Sequence, residues 1–549
     1  MSLPKLSRSP PFHSLLGAHS FVVGQAAWHH RPAILRAHPP QKRALTASQR
    51  HREEDHGGQQ GHGEPGSPTP SSSRSSSAKS PKAEPTVAPH DSANFSLPPD
   101  WEDKADFNVT AFSQLPHRFF GYNQHIKINE DFKEALRQIL WQFRAPIRYA
   151  FAYGSGVFGQ KSSQSTEDIS PHPNPPRAVE EWQKGGAKII DFIFGVSHTQ
   201  HWHSLNLTQH PDHYSGLKYL PYSSAAISHI QDDLGAGVYF NPFITVNGVM
   251  IKYGVVNLDT LARDLSEWDT LYLAGRLQKP VKILRDDPRI RLANQVNLIS
   301  ALRTALLMLP DKFSEKQLYE RIAGLSYMGD PRMNAYLSAE NPNKVSNIVG
   351  AQLPGFRQLY VPLIQNLPNA EFIDPRTPRE IAWEKEDAIR HTGIRHDLDN
   401  VLGGPDGLQL AQDMDPVKRG NMVRRLPKAF RRKLYYHYKS KFSIPASAFS
   451  DVLEHSQDED ASGGFHRREG GDFEQRIAQQ EDLPAVMAQC VRKTVGWPST
   501  SQSVKSAFTA GVSKSWKYYS AKRSKGKEKS RVGPLQAVEE KGEEKAKGD

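Results

Sequence analysis

A nearly unbroken apolar run, Ala187-Lys188-Ile189-Ile190-Asp191-Phe192-Ile193-Phe194-Gly195-Val196, constrains this chain more than any other feature. It reads as a buried strand, and Asp191 interrupts it. A lone carboxylate there is costly unless it is paired or holds a metal. Upstream, the apolar residues between Asp131 and Phe143 recur at helical spacing. A strand from Ile147 to Tyr153 follows and ends in Gly154-Ser155-Gly156. Downstream, Val238–Val246 and Val249–Val256 flank Asn247-Gly248, a hairpin signal, and Asn257 or Asp259 caps a helix through Trp268.

The flanking sequence divides the chain. Residues 1–50 carry seven Lys/Arg and no Asp or Glu, the composition of a mitochondrial presequence. Residues 51–100, Gly-, His-, Ser- and Pro-rich, read as a disordered linker. A catalytic domain is expected over 101–290, interrupted by a surface insertion at 159–187, and a mostly helical domain over 291–370, with Ser314 as a helix cap. A variable region follows over 371–495, with an acidic loop at 452–475, and a basic tail over 496–549. The basic run Lys418–Lys441 reads either as a membrane-facing surface or as a solvated helix. Nothing approaches the ~18 apolar residues of a spanning helix. The single Cys490 excludes an intramolecular disulfide framework.

A Gly-Ser-Gly turn offers a hydroxyl and backbone N–H groups that approach a phosphate closely, and a helix starting after it adds a favourable dipole. A Gly-Ser turn followed by a strand Asp is how nucleotidyltransferases of the DNA polymerase β type are built. The turn holds a triphosphate, and the Asp holds Mg²⁺ against its oxygens. The usual second acid is missing, because Ile193 stands two positions after Asp191. Asp191 holds the metal alone or with a further carboxylate such as Asp232 or Asp233. His201 and His203 invite a metal reading, but no partner at suitable spacing accompanies them.

Several blocks carry a family resemblance. They are Tyr153–Phe158, Ile190–Val196, His203-Ser204-Leu205-Asn206, His213-Tyr214-Ser215, Gly235–Asn241, Ile251–Val255, Ala274–Lys282 and Val504–Ser515. Together they resemble the mitochondrial phosphatidate cytidylyltransferases over about residues 115–365 and again near 504–515. The resemblance implies an α+β fold: a polymerase-β-like nucleotidyltransferase domain, a winged-helix-like domain and a C-terminal amphipathic segment. It implies synthesis of CDP-diacylglycerol from CTP and phosphatidic acid with Mg²⁺, on the matrix face of the inner mitochondrial membrane, for cardiolipin. No nucleic-acid partner is expected.

On this reading Asp191, Ser155 and Lys252 are the catalytic candidates, with Asp191 the metal ligand. Gly154, Ser155, Gly156, Arg276, Lys279 and Lys282 are candidates for phosphate contacts. His203, Asn206, His213 and Tyr214 line the nucleotide pocket. Val504, Phe508, Val512, Trp516 and Tyr519 fall within one helical arc, with Lys514 and Lys517 opposite and Lys522 and Arg523 following, suited to an anionic leaflet. Competing readings are a nucleotidyltransferase acting on RNA or protein, and a non-catalytic assembly factor for import machinery. The net charge of +11 suits any anionic partner, and the presequence alone carries +7 of it.

Overall fold

A computed structural model describes residues 97–98, 101–159, 172–183, 188–333, 343–373, 407–456 and 469–510. The stretch read as a presequence and nearly all of that read as a linker lie outside the described residues, as do Val512, Lys514, Trp516, Lys517, Tyr519, Lys522 and Arg523.

Local signals set the first elements. Asn129 accepts a hydrogen bond from Phe132 N and starts α1 (Glu130–Trp141). Phe132, Ala135, Leu136 and Ile139 form its buried stripe. There follow β1 (Tyr149–Tyr153), α2 (Arg177–Gln183), β2 (Ile190–Val196), α3 (Thr199–Gln209), α4 (Ser223–Asp233), β3 (Val238–Val246), β4 (Val249–Asn257), α5 (Leu258–Glu267), α6 (Ala274–Leu277) and β5 (Lys282–Arg285). Asn247 and Gly248, both at positive φ, close the β3–β4 hairpin. The sheet order is β3-β4-β2-β1-β5, with β2 and β4 parallel and the other pairs antiparallel.

Strand alternation divides the sheet into two faces. Tyr149, Phe151, Ile193, Val256 and Phe240 point into one core, whereas Ala150, Ala152, Phe192, Phe194, Tyr253 and Val255 point into another with α1.

The second half is built on α7 (Pro288–Leu307). Asp287 caps it by accepting from Arg289 N and Ile290 N, with Pro288 at its first turn, so it begins earlier than its apolar pattern suggests. All but two of its residues are buried, as expected of a central helix. Ser314 and Gln317 form a capping box for α8 (Glu315–Leu325). After α9 (Lys344–Ile364), the short strands β6 (Lys312–Ser314), β7 (Ala370–Ile373) and β8 (Gln409–Gln412) make an antiparallel sheet in the order β6-β8-β7.

The described part of the stretch read as variable is ordered and helical, with α10 (Pro416–Arg424), α11 (Lys428–Lys441), α12 (Ala446–His455) and α13 (Asp472–Ala478). The acidic loop is thus bounded by helices, which occupy residues 452–455 and 472–475. The basic run is neither a solvated helix nor a membrane face throughout. Arg419, Arg424 and Arg431 are buried, and Arg431 donates to Leu426 O at 3.0 Å and Ser456 O at 2.8 Å. Arg425 instead pairs with Glu102 and Asp103.

The last helix, α14 (Leu483–Ala510), begins well before the expected amphipathic segment. Its Gln502 serves the backbone at the start of β3, accepting from Ala236 N at 3.3 Å and donating to Val238 O at 3.0 Å. Gly235, at φ +70°, leaves room for that amide. Lys505 is buried and donates to Gln231 O and Leu234 O. Trp497, Val504 and Phe508 face outward, 76%, 67% and 67% exposed.

Candidate active site

Asp191 lies at the entry of β2, directly between Tyr153 of β1 and Lys252 of β4. Lys252 Nζ stands 3.7 Å from Asp191 Oδ1 and 4.6 Å from the Phe240 ring centre. Both charged side chains stay partly open to solvent.

The Gly-Ser-Gly turn covers this carboxylate. Gly154 has φ +82°, and a Cβ there would stand 3.3 Å from Asp191 Oδ2. Glycine therefore permits the backbone conformation and keeps the space beside the carboxylate clear. Gly156 presses on the start of β2, where a Cβ would lie 2.6 Å from Ile189 O. Ser155, between them, is exposed. Val157 N and Phe158 N close the turn onto Gly154 O at 3.1 and 2.9 Å. The expected helix start is not there: among the described residues the next helix is α2, at Arg177.

The stretch read as a surface insertion braces this turn. Trp182 Nε1 donates to Val157 O at 2.9 Å, and Gln183 Nε2 donates to Gly156 O at 3.0 Å. Trp182 also stacks on Phe132. The near-invisible signal was one Trp-Gln pair in a Pro-rich segment.

Arg276 approaches from α6. Its Nε donates to Tyr153 OH at 3.3 Å, and its guanidinium lies 4.0 Å from the Tyr272 ring centre. Sequence reasoning missed Asp264, the residue that positions α6. Its buried carboxylate accepts from Thr270 N, Leu271 N, Leu273 N and Ala274 N at 2.9, 2.9, 2.9 and 3.0 Å, and from Thr270 Oγ1 at 2.8 Å. An aspartate bonded to that many backbone donors fixes a loop as firmly as secondary structure does.

Other candidates fall elsewhere. Tyr253 follows Lys252 and points through the opposite face, where its hydroxyl accepts from Asn206 Nδ2 at 3.0 Å and shares a hydrogen bond with His213 Nδ1 at 2.8 Å. Asn206 Nδ2 also donates to Tyr214 OH at 3.0 Å, and His203 joins Tyr214 and Gln231 at 2.8 Å each. Burial pushes His203 down to about 4, so it is neutral. His203, Asn206, His213 and Tyr214 thus form a buried network behind the sheet, not a pocket wall beside Asp191. Lys282 alternates to that same face and donates to Ile126 O at 2.8 Å, away from the turn.

Asp232 accepts from Thr199 Oγ1 at 2.6 Å, and Asp233 pairs with His229. Thr199 lies beyond the far end of β2, roughly 17 Å or more from Asp191 at ~3.3 Å per strand residue. Neither acid shares the Asp191 site. Among the described residues, a metal-capable trio falls instead on His210, Asp212 and His213, with donor atoms within 4.8 Å of one another.

One carboxylate fits Mg²⁺ when phosphate oxygens and waters complete its shell, since this ion takes one or two protein carboxylates alongside substrate phosphates. Asp191, partly exposed under a turn with no side chain at Gly154, meets that requirement. The clustering of Asp191, Lys252, Arg276 and the turn suits phosphoryl chemistry, where positioning and charge neutralisation do most of the work.

Residues 136–525 match the family described as "Phosphatidate cytidylyltransferase, mitochondrial". Proteins of that name are 41% identical in Saccharomyces cerevisiae over 272 residues (48% of this chain, 65% of the relative) and 43% identical in Schizosaccharomyces pombe over 252 residues (46% and 58%). The Xenopus laevis protein is 35% identical over 388 residues, 70% of this chain and 92% of the relative. The match thus spans under two thirds of the two yeast relatives and nearly all of the frog one. With that family model matching well over half of its length, the chain belongs to the mitochondrial phosphatidate cytidylyltransferase family.

Proposed function

We propose that this protein transfers CMP from CTP to phosphatidic acid, giving CDP-diacylglycerol and pyrophosphate. The observation that carries the reading is Asp191 beneath the Gly154–Gly156 turn, flanked by Lys252. A phosphatidate oxygen attacks the α-phosphorus of CTP, and the bond to pyrophosphate breaks. The nucleophile is already an anion, so no strong general base is required. The backbone of Gly154, Ser155 and Gly156 cradles the outgoing phosphates, while Lys252 and Arg276 neutralise charge beside them. Asp191 would hold Mg²⁺, which when bound would supply further neutralisation of charge on the leaving pyrophosphate.

The first sheet serves as a nucleotidyltransferase domain over about 101–290. The order α7-β6-α8-α9-β7-β8, with β6 paired to β8, supports a winged-helix-like arrangement over 291–370 and into the next region. The membrane reading, a peripheral seat on the matrix side of the inner mitochondrial membrane after presequence removal, is supported by α14. Gln502 and Lys505 hold that helix down, while Trp497, Val504 and Phe508 form one exposed stripe leading into the basic tail. There the product supplies cardiolipin synthesis.

Incubating the full chain with labelled CTP, Mg²⁺ and liposomes containing phosphatidic acid tests the reading. Lipid-extractable label is expected. Label appearing only in added RNA or in protein, or in no acceptor, overturns it in favour of one of the competing readings.

A further inference from the structure

Just beyond α6 the chain gathers like charges. Lys279 Nζ donates to Ser326 Oγ at 2.9 Å and to Gly275 O, both neutral acceptors. Its ammonium stands 5.1 Å from the centre of the Tyr327 ring. Lys344, at the start of α9, brings a second ammonium 5.1 Å from the same ring. Arg276 sits one turn before Lys279 and reaches Tyr153, whose cross-strand neighbour is Asp191. A cationic track therefore leads from the catalytic strand through Arg276 and Lys279 to Lys344.

Burial, then repulsion from Arg276 and Lys344, pushes Lys279 down to about 7. The close approach that makes the cluster is built in. A Cβ on Gly275 would stand 2.2 Å from Ser326 Cβ, so α6 is pressed onto the turn after α8. Crowding ammonium groups costs energy that a bound anion relieves. A phosphate dianion with several acceptor oxygens answers ammonium, guanidinium and hydroxyl donors together.

We propose that Lys279, Lys344, Arg276 and the Ser326 hydroxyl form a subsite for a terminal phosphate dianion other than the nucleotide's α-phosphate, shared between α6 and the α8–α9 side of the fold. The inference rests on the cytidylyltransferase reading, in which both substrates carry such a group: the phosphatidate headgroup and the γ-phosphate of CTP. Lys344 is the decisive position, because it comes from the second half of the chain and is no part of the turn or the catalytic strand.

Binding to the full chain is measured by calorimetry for CTP, CMP and soluble dihexanoyl phosphatidate, in wild type, Lys344→Gln and Lys344→Arg, with melting curves alongside. Lys344→Gln is expected to weaken one terminal-phosphate ligand about tenfold or more, and Lys344→Arg to restore most of it. Loss confined to CTP, with CMP unchanged, assigns the γ-phosphate; loss confined to dihexanoyl phosphatidate assigns the headgroup. If both bind Lys344→Gln within about twofold of wild type, or CMP weakens equally, the subsite is wrong. Should Lys344→Gln melt early, Lys279→Gln serves for the same comparison. A wild type that forms no CDP-diacylglycerol sinks the parent reading alone, because the binding comparison needs no turnover.

Discussion

Gly154→Ala separates the turn's chemistry from its contribution to stability. At φ +82° an alanine pays about 1–2 kcal/mol for the left-handed conformation. Reduced freedom of the unfolded chain returns about 0.4–1 kcal/mol. The new methyl, 3.3 Å from Asp191 Oδ2, obliges the carboxylate or the turn to give by a few tenths of an ångström. The net stability loss is therefore about 1 kcal/mol, a melting shift of about 2–4 °C at most in a chain this large. Activity should suffer more. On the proposed mechanism the displaced group faces the phosphates; a misplacement of about 1 Å at a reacting centre costs about 10²-fold, so a shift of a few tenths of an ångström should cost about tenfold. The assay is incorporation of labelled CTP into extractable lipid, run beside a thermal melt. Near-normal kcat/KM in a variant with a near-normal melt would refute the claim that this turn and Asp191 work as one unit.

Two further outcomes follow from other parts of the structure. Lys279 holds its proton less tightly in the folded chain (about 7) than in the unfolded one (~10.4), so folding costs stability in full below pH 7, and the cost fades as pH rises toward 10. Lys279→Met should therefore gain in melting temperature over wild type at pH 6.5, with the difference shrinking by pH 9; a pH-independent difference contradicts the assigned environment. Val504→Ser with Phe508→Ser removes exposed apolar surface without touching Gln502 or Lys505, so binding to anionic liposomes should fall while turnover of soluble dihexanoyl phosphatidate holds; unchanged liposome binding removes α14 from the membrane.

Much of the first sheet was legible because its signals are local. Asn247-Gly248 marks a hairpin, Asp191 breaks an apolar run, and Asn257 and Ser314 cap helices within one turn. What escaped depends on distant partners. The strands β7 and β8 are four residues each and lie more than 30 residues apart, so no turn chemistry announces their pairing. The candidates that lie away from Asp191 share one cause. Asn206 and His213 bond Tyr253, with Tyr214 and then His203 joined through Asn206, and Lys282 neighbours Ile283, so a one-residue step along a strand sends each to the face away from Asp191. Asp264 looked like any acid on an amphipathic helix; its role appears only once the loop folds back over it. The basic run read equally as a membrane-facing surface or a solvated helix, yet Phe430, Leu434, Tyr435 and Tyr438 form a buried helical face that carries Arg431 inward.

Asp191→Asn tests the central claim most directly, since it keeps the side chain's shape and removes its charge. CMP transfer from labelled CTP to phosphatidic acid, measured with Mg²⁺ on protein whose melting curve matches wild type, should fall by about 10³-fold. A variant that still labels the lipid at close to the wild-type rate would show that the carboxylate under the Gly-Ser-Gly turn is not the centre of the reaction.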